Sequence, residues 1–265
     1  MTAKAYTRAV SPLLAEGETT QAFDEPIDVA RAVSQHAAYE AALAQAGFDI
    51  VRLADLADYP DAVFVEDVAL LLGEHAIVTR PGAASRAGET ESVAEGLAQA
   101  FTVHRLGAGH VDGGDVLPIG DRLYVGLSGR TDRAGIRALG DLAGLLGFRV
   151  VPVPVAGCLH LKSAATFAGP DAGGTPVLLY NPDWVSAAAF EGVEALAVAP
   201  GESYGANVAR AGATLLAAAD SPRTAALLSA RGFDVVTLDI SEMRKADAAL
   251  TCMSLIADDL GERRR

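Results

Sequence analysis

A chain of 265 residues, 51 % of them hydrophobic, is long enough for one large domain or two small ones and can bury a packed core. Its net charge of −13 disfavours nucleic acid as a partner and favours a cationic small molecule. The longest apolar run, near residues 211–219, is too short to span a membrane, and two cysteines are too few for a disulfide scaffold.

Helical and strand-like segments alternate along the chain. Apolar residues recur at three- and four-residue spacing in predicted helices at residues 28–46, 89–100, 131–146 and 222–231. Five short β-like runs recur in the same modular pattern: AGFDIVRL, QAFTVHRL, LGFRVVPV, FEGVEALAV and RGFDVVTL. The order predicts modules that each combine one helix with strands.

Each module continues with a predicted β-hairpin. VEDVALLLGEHAIVTR indicates two strands around a Gly-Glu-His turn, and DGGDVLPIGDRLYVGLS repeats the pattern with Gly-Asp at the turn. ANVARAGATLLAAADSPR resembles a third copy, whereas the module at residues 159–181 is the least regular.

One polar residue opens each hairpin at a nearly constant interval. These residues, separated by 45, 48, 47 and 45 positions, are Asp67, Asp112, His160, Asn207 and Cys252. A period of about 46 residues predicts a repeat architecture. Because the sequence lacks polar capping repeats, we predict a closed five-fold pseudosymmetric α/β propeller, one domain over residues 1–265. A doubly wound α/β sheet is the alternative.

Equivalent positions of a closed ring converge on its axis, so the period brings a cysteine, a histidine and an acid together. We predict Cys252 as nucleophile, His160 as general acid and base, and Asp112 as the group that orients the imidazole. A structural histidine and a turn carboxylate are the alternatives for the latter two. Cys158 is a rival nucleophile that lies outside the repeat phase, and its C-x-H spacing lacks the further ligands of a metal site.

Charged residues predict the two ends of a substrate pocket. Asp61, Glu66 and Asp67 lie in and around an apolar strand, where a carboxylate needs a partner such as a guanidinium, from a substrate or from the protein. Arg86 and Arg130 close equivalent hairpins, so we predict a carboxylate clamp, with surface arginines as the alternative. Both ends together suit an amino acid with a cationic side chain.

Five ordered blocks between about residues 60 and 255 carry a family resemblance. The blocks PDAVFVEDVALLLGEHAIVTRPGAASR, VDGGDVLPIGDRLYVGLSGRT, LHLKS, ESYGAN and SEMRKADAALTCMSL together resemble dimethylarginine dimethylaminohydrolases. The resemblance implies the five-bladed propeller of the guanidine-modifying superfamily. It also implies hydrolysis of Nω-methylated arginines to citrulline and an alkylamine through a covalent thiouronium on cysteine, with no cofactor and no metal.

The resemblance also implies roles for ten residues. The catalytic set is Cys252, His160 and Asp112. The substrate-binding set is Asp61, Glu66, Asp67, Arg86, Arg130, Ala246 and Asp247. In this pattern the first three acids face the guanidinium, the arginines hold the α-carboxylate, and the Ala246 carbonyl contacts the α-amino group.

A lid segment near residues 11–24 departs from the family pattern. The stretch LLAEGETT places Glu18 or Thr19 near a contact position where leucine is common in the family. The preferred N-substituent is therefore left open.

Two other functions remain as alternatives. One is an arginine or agmatine deiminase on the same fold, although the inserted helical region of arginine deiminases is not seen in this sequence. The other is a non-catalytic five-fold binding module, which has no reason to keep the cysteine, histidine and acid together. The amino-terminal stretch lacks a signal-peptide core, so we expect a cytoplasmic protein, either monomer or homodimer.

Overall fold

The computed structural model describes residues 3–20, 23 and 25–257. The strands in this part of the chain are short and evenly distributed. They are β1 (Lys4–Thr7), β2 (Asp49–Arg52), β3 (Ala69–Leu72), β4 (His75–Val78), β5 (Thr102–Arg105), β6 (Val116–Ile119), β7 (Arg122–Leu127), β8 (Arg149–Pro154), β9 (Ala165–Pro170), β10 (Pro176–Tyr180), β11 (Glu194–Ala197), β12 (Ala209–Ala211), β13 (Thr214–Ala218), β14 (Asp234–Leu238) and β15 (Leu255–Ala257).

Helices connect the strands. They are α1 (Val29–Gln45), α2 (Glu89–Leu97), α3 (Arg133–Leu145), α4 (Leu161–Ala164), α5 (Pro222–Ala230) and α6 (Ser241–Lys245). The four longer helices lie within the four predicted ranges. Asp28 and Asp132 cap α1 and α3 by accepting hydrogen bonds from backbone N–H groups, and Pro222 occupies the first turn of α5, where its missing N–H is harmless. Across the described residues, no helix has the length and apolarity to cross a membrane.

The strands form five separate three-stranded sheets, each with the same topology. The orders are β15-β1-β2, β3-β4-β5, β6-β7-β8, β9-β10-β11 and β12-β13-β14. In every sheet the first two strands are antiparallel and the last two are parallel. A parallel pair needs a crossover connection, which a helix supplies in four of the five sheets.

The ring is closed by strands from the two ends of the described chain. Strand β15 pairs with β1 in antiparallel register, Lys4 opposite Ala257, and β1 pairs in parallel with β2. One sheet therefore takes its inner strand from the carboxyl-terminal part and its other strands from the amino-terminal part. The described chain therefore forms a closed ring of five similar sheets and not one doubly wound sheet.

Position within each sheet explains the hydrophobic pattern of the strands. In middle strands such as β7 and β10 the central residues are apolar and buried, as expected for strands covered on both faces. The third strands, such as β2 and β5, expose their ends and are only partly covered. Five clusters of buried apolar side chains form the cores.

The fourth module lacks the α-helix found in the other four. Between β10 and β11 the chain forms only the short 3-10 turn Ala187–Ala189. Trp184 and Phe190 pack from this segment onto the buried cluster around Tyr124 and Leu178, which covers the sheet without a helix.

Candidate active site

The five in-phase residues lie next to the inner strand of each sheet. A short helical turn precedes every inner strand: Val65–Val68, Gly113–Asp115, Leu161–Ala164, Ser203–Ala206 and Thr251–Met253. Each in-phase residue belongs to its turn or borders it. Because the inner strands of all five sheets line one central channel, the turns surround the same axis.

Nine of the ten predicted site residues line one cavity of about 30 Å³ at this axis. Glu18 from the lid also lines it. The exception is Glu66, which lines a separate cavity of about 210 Å³ between the inner strands. Of the five in-phase residues, Asp67, Asp112, His160 and Cys252 line this cavity, whereas Asn207 does not.

His160 is held between carboxylates. Its Nε2 lies 3.1 Å from Asp112 Oδ2, and its Nδ1 lies 3.7 Å from Asp67 Oδ1. The other Asp112 oxygen accepts a 2.7 Å hydrogen bond from the backbone N–H of Gly82. Burial opposes a positive charge on the ring, but Asp67, Asp112 and Asp115 outweigh it and raise the pKa of His160 to about 9. His160 is therefore an imidazolium at neutral pH, ready to donate a proton.

Two glycines of the VDGGD segment allow this close approach. A Cβ on Gly114 would lie 2.6 Å from His160 Nδ1 and 2.8 Å from Asp67 Oδ1. A Cβ on Gly113 would lie 2.0 Å from the backbone oxygen of Glu66. The absence of side chains here lets the imidazole and the neighbouring turn rest directly on the backbone.

Cys252 is a buried thiol in the turn Thr251–Met253. Its Sγ accepts a 3.4 Å hydrogen bond from the backbone N–H of Ala249. Burial raises the pKa of Cys252 well above its usual range, and the negative charges of Asp67 and Glu66 raise it further. The free protein therefore holds a neutral thiol. A cation entering the cavity offsets those carboxylates and favours the thiolate.

Cys158 has a different environment. Its Sγ donates a 3.3 Å hydrogen bond to the backbone oxygen of His160, and its side chain packs against an apolar cluster. Burial, and then the charge of Asp115, raise its pKa to about 12. These contacts suit a structural thiol, the role that the family resemblance implies.

Arg86 is buried and surrounded by acceptors. Its Nη1 lies 2.5 Å from Asp67 Oδ2, and its Nε and Nη2 donate to Glu89 at 2.9 and 2.8 Å. Nη2 also lies within hydrogen-bond distance of the backbone oxygens of Asp61 and Phe64. Arg86 is therefore already paired with two buried carboxylates in the free protein, and the predicted contact with a substrate carboxylate stays a prediction.

Asp67 has one oxygen left for a ligand. Burial opposes its ionisation, but His160 and Arg86 outweigh burial and hold the pKa of Asp67 below its usual range. Its Oδ2 faces Arg86, whereas the buried Oδ1 accepts no hydrogen bond from the described residues. A buried carboxylate oxygen beside the cavity is a site for the N–H groups of a guanidinium.

Glu66 belongs to a polar floor beneath the cavity. Its two oxygens lie 2.7 Å from Lys162 Nζ and 2.8 Å from Thr251 Oγ1. The Asn207 side chain donates to Thr251 Oγ1 and to the Lys162 carbonyl, 3.0 Å each. Burial raises the pKa of Glu66 although Lys162 opposes the shift. Both carboxylate oxygens of Glu66 already have partners, Lys162 and Thr251, so the predicted contact of Glu66 with a substrate guanidinium stays a prediction.

Part of the predicted lid lies over the cavity. Residues 21, 22 and 24 of this segment are outside the described residues. A Glu18 carboxylate oxygen lies 3.1 Å from Arg130 Nη2, and the Glu18 N–H donates to Asp61 Oδ2 at 3.2 Å. Of the two lid positions noted in the sequence, Glu18 therefore contacts two predicted substrate-binding residues.

Asp247 anchors the end of the described lid segment. Its Oδ2 accepts hydrogen bonds from the backbone N–H and, at 2.7 Å, from the hydroxyl of Thr20. Its backbone has φ of 55°, a left-handed conformation that is uncommon for a residue with a side chain. The adjacent Ala246 also lines the cavity. The chain is thus turned sharply where the resemblance places its contact with the α-amino group.

One trio of side chains has the spacing of a metal site. Ligand atoms of Asp67, Asp112 and His160 lie within 4.8 Å of one another. A metal requires neutral imidazole, however, and the pKa of His160 is raised to about 9. Asp67 also uses one oxygen for Arg86. The trio fits a charged hydrogen-bonded cluster better than a metal centre.

The sequence did not assign roles to several residues that support the site. Asp115 accepts hydrogen bonds from the Leu161 N–H at 2.9 Å and the Ser128 hydroxyl at 2.6 Å, which ties the turn after His160 to the preceding sheet, β6-β7-β8. Asp115 follows the glycines of VDGGD, and Lys162 lies in LHLKS, so both were inside recognised blocks. Their partners become visible only in three dimensions.

Five blades closed around a central cavity are the architecture of the guanidine-modifying α/β propellers, which confirms the predicted fold class. The chain is 42 % identical over 260 residues to the N(G),N(G)-dimethylarginine dimethylaminohydrolase of Streptomyces coelicolor, covering 95 % of this chain and 96 % of the relative. It is 35 % identical to that of Pseudomonas aeruginosa, covering 91 % and 94 %. The chain belongs to the dimethylarginine dimethylaminohydrolase family, as the sequence blocks predicted.

Solved structures agree with this assignment. A cysteine-to-serine variant of the Pseudomonas aeruginosa enzyme complexed with citrulline superposes with a TM-score of 0.90 at 33 % identity, covering 97 % of this chain and 99 % of that one. The N-terminal domain of a cyanobacterial arginine dihydrolase superposes with a TM-score of 0.77 at 21 % identity, covering 96 % and 97 %, which shows a shared fold alone. No protein-family profile matches the chain.

Proposed function

We propose that this protein hydrolyses Nω-methylated arginines, asymmetric dimethylarginine and monomethylarginine, to citrulline and dimethylamine or methylamine. The observation that carries the proposal is one cavity lined by Cys252, the His160–Asp112 pair and Asp67, whose Oδ1 accepts no hydrogen bond from the described residues. This cavity lies in a chain 42 % identical to a dimethylarginine dimethylaminohydrolase. The substrate is accordingly a small cationic amino acid.

The charges along the cavity give the substrate one orientation. The guanidinium lies against Asp67, and its carbon faces the Cys252 sulfur. The α-carboxylate binds Arg130, whose one ion pair among the described residues is with the partly exposed carboxylate of Glu18. Arg86, held by Asp67 and Glu89, adds positive charge to the same cavity. The α-amino group faces the Ala246 carbonyl, and Asp61 and Asp247 add negative charge to the cavity that they line. A bidentate or charge-assisted contact at each end of the substrate fixes its position in the cavity as well as its affinity.

The first half of the reaction forms a covalent intermediate. Binding of the guanidinium offsets the charges of Asp67 and Glu66, so Cys252 loses its proton to solvent and its thiolate attacks the guanidinium carbon. The imidazolium of His160 then protonates the departing alkylamine nitrogen as the carbon–nitrogen bond breaks. The product on the enzyme is a thiouronium on Cys252, and His160 is now neutral.

The second half uses the neutral imidazole as a base. His160 takes a proton from water, which attacks the same carbon and expels the Cys252 thiolate. Loss of one more proton from the product oxygen yields citrulline. Asp112 stabilises the imidazolium whenever it forms, and Asp67 stabilises the cationic carbon centre through both steps.

The test measures citrulline and the covalent intermediate separately. Cys252→Ser is expected to abolish citrulline release from asymmetric dimethylarginine, and His160→Ala to slow it by at least about 10²-fold. Mass spectrometry of wild-type protein quenched during turnover is expected to find the added mass on the Cys252 peptide. Substantial citrulline release by Cys252→Ser contradicts the assignment.

Side-by-side rates on four substrates separate the alternatives. Arginine, agmatine, monomethylarginine and asymmetric dimethylarginine share a guanidinium and differ in the N-methyl groups and the carboxylate. We expect the methylated arginines to have the highest kcat/KM. Preference for unmethylated arginine or agmatine makes the protein a deiminase, and no turnover with loss of stability in Cys252→Ala favours a binding module.

We also propose that residues 1–265 form one catalytic domain with a lid near residues 11–24, in a cytoplasmic monomer or homodimer. Support for the single domain comes from β15, which joins the carboxyl-terminal part of the chain to β1. Support for the lid comes from its described contacts to Asp61, Arg130 and Asp247.

A further inference from the structure

The lid carries a carboxylate to the cation that is expected to bind substrate. Glu18 Oε2 lies 3.1 Å from Arg130 Nη2, and Glu18 Oε1 accepts a hydrogen bond from the hydroxyl of Ser85. Both Glu18 and Arg130 line the same cavity as Cys252. A ligand carboxylate that binds Arg130 must therefore share this cation with Glu18 or displace Glu18 from it.

The two arginines of the cavity have different partners. Arg86 is 5 % exposed and holds Asp67 and Glu89, so its charge belongs to the framework of the site. Arg130 is 16 % exposed, and its ion pair is with Glu18, whose side chain is 46 % exposed. An ion pair at this exposure is weak and exchanges readily with another carboxylate.

The backbone around Glu18 keeps this carboxylate in place. The Glu18 N–H donates to Asp61 Oδ2, and a Cβ on the preceding Gly17 would lie 2.5 Å from Asp61 Oδ1. Two residues later, Thr20 is bound to Asp247. The lid is therefore seated on both sides of Glu18, which presents its side chain to Arg130.

We propose that Glu18 is a specificity-determining residue that competes with the substrate α-carboxylate for Arg130. The proposal rests on the function proposed above. In the free protein the Glu18 carboxylate occupies Arg130, and an amino acid binds by exchanging its α-carboxylate for that of Glu18. A ligand without an α-carboxylate leaves the Glu18–Arg130 pair intact. The residue therefore lowers affinity for amino acids relative to their decarboxylated analogues.

The experiment replaces Glu18 and follows a pair of ligands. In Glu18→Gln, KM for monomethylarginine is expected to fall by about two- to fivefold with kcat nearly unchanged, the range that a partly exposed ion pair supports. The inhibition constant of agmatine, which lacks the carboxylate, is expected to stay the same or to rise. Glu16→Gln is the matched control, since Glu16 is an exposed acid of the same segment.

The ratio of KM for monomethylarginine to the inhibition constant of agmatine cancels the effect that removal of any negative charge has on the binding of a cation. That effect weakens both cationic ligands, whereas loss of a competing carboxylate strengthens only the amino acid. An unchanged ratio, or a rise in KM for monomethylarginine, overturns the role of Glu18. Calorimetric binding of citrulline to wild type and Glu18→Gln gives the same comparison without turnover. If wild type neither releases citrulline nor binds it, the proposed function fails instead.

Discussion

Gly114→Ala tests how closely the imidazole of His160 must be placed. The added Cβ would lie 2.6 Å from His160 Nδ1, whereas ordinary contact begins at 3.4 Å, so the ring has to retreat by about 0.8 Å. Gly114 has no left-handed backbone, so alanine strains this position through the contact alone. The retreat disturbs the 3.1 Å contact between His160 and Asp112.

A displacement of this size is expected to lower kcat for asymmetric dimethylarginine by about 10²-fold. Overpacking is expected to cost about 1–3 kcal/mol of stability, small enough for the variant to fold. Citrulline formation gives kcat, and circular dichroism during urea denaturation gives stability. Gly107→Ala, where nothing lies within 4 Å of the added Cβ, is the control. A folded Gly114→Ala with kcat within about twofold of wild type refutes the positioning argument.

Two further predictions concern buried charges. Because the folded pKa of His160 is raised from 6.5 to about 9, its stabilising effect is fully present below pH 6.5 and is lost as pH rises through 9. The unfolding free energy of wild type relative to His160→Gln should therefore decline across that interval, and a flat difference contradicts the assignment. Lys162→Met leaves Glu66 buried without its cation and should cost about 3–5 kcal/mol in urea denaturation at neutral pH. Exposed Lys4→Met is its control, and equal stability of the two variants disproves the role of Lys162.

The repeat period made the fold predictable from sequence. Helix, outer strand and hairpin recur at about 46 residues, and the in-phase polar residues mark the same turn in every sheet. The prediction of one helix in every module was wrong for the fourth module, because Trp184 and Phe190 cover that sheet through contacts between segments that no local pattern records.

The repeat phase predicts the catalytic trio, but it does not distinguish the roles of two residues that are adjacent in sequence. Glu66 and Asp67 are adjacent in one 3-10 turn, where successive side chains point about 120° apart. Asp67 therefore lines the cavity with Cys252, while Glu66 reaches Lys162 beneath it. The ion pair of Arg86 with Glu89 is a local i,i+3 contact, but its contact with Asp67 depends on how two separate segments meet and is not visible in the sequence.

Closure of the ring through β15 and β1 has a consequence for how the protein becomes active. The pairing of Lys4 with Ala257 joins positions about 250 residues apart, a contact that is entropically costly to form and slows folding. During synthesis, β1 leaves the ribosome before the other fourteen strands of the described chain, and β15 leaves it after them. Cys252 lies three residues before β15, so the thiol reaches the axis only as the last blade is completed. Assembly of the catalytic centre therefore coincides with closure of the ring, and partly made chains carry the acid and the histidine without the thiol.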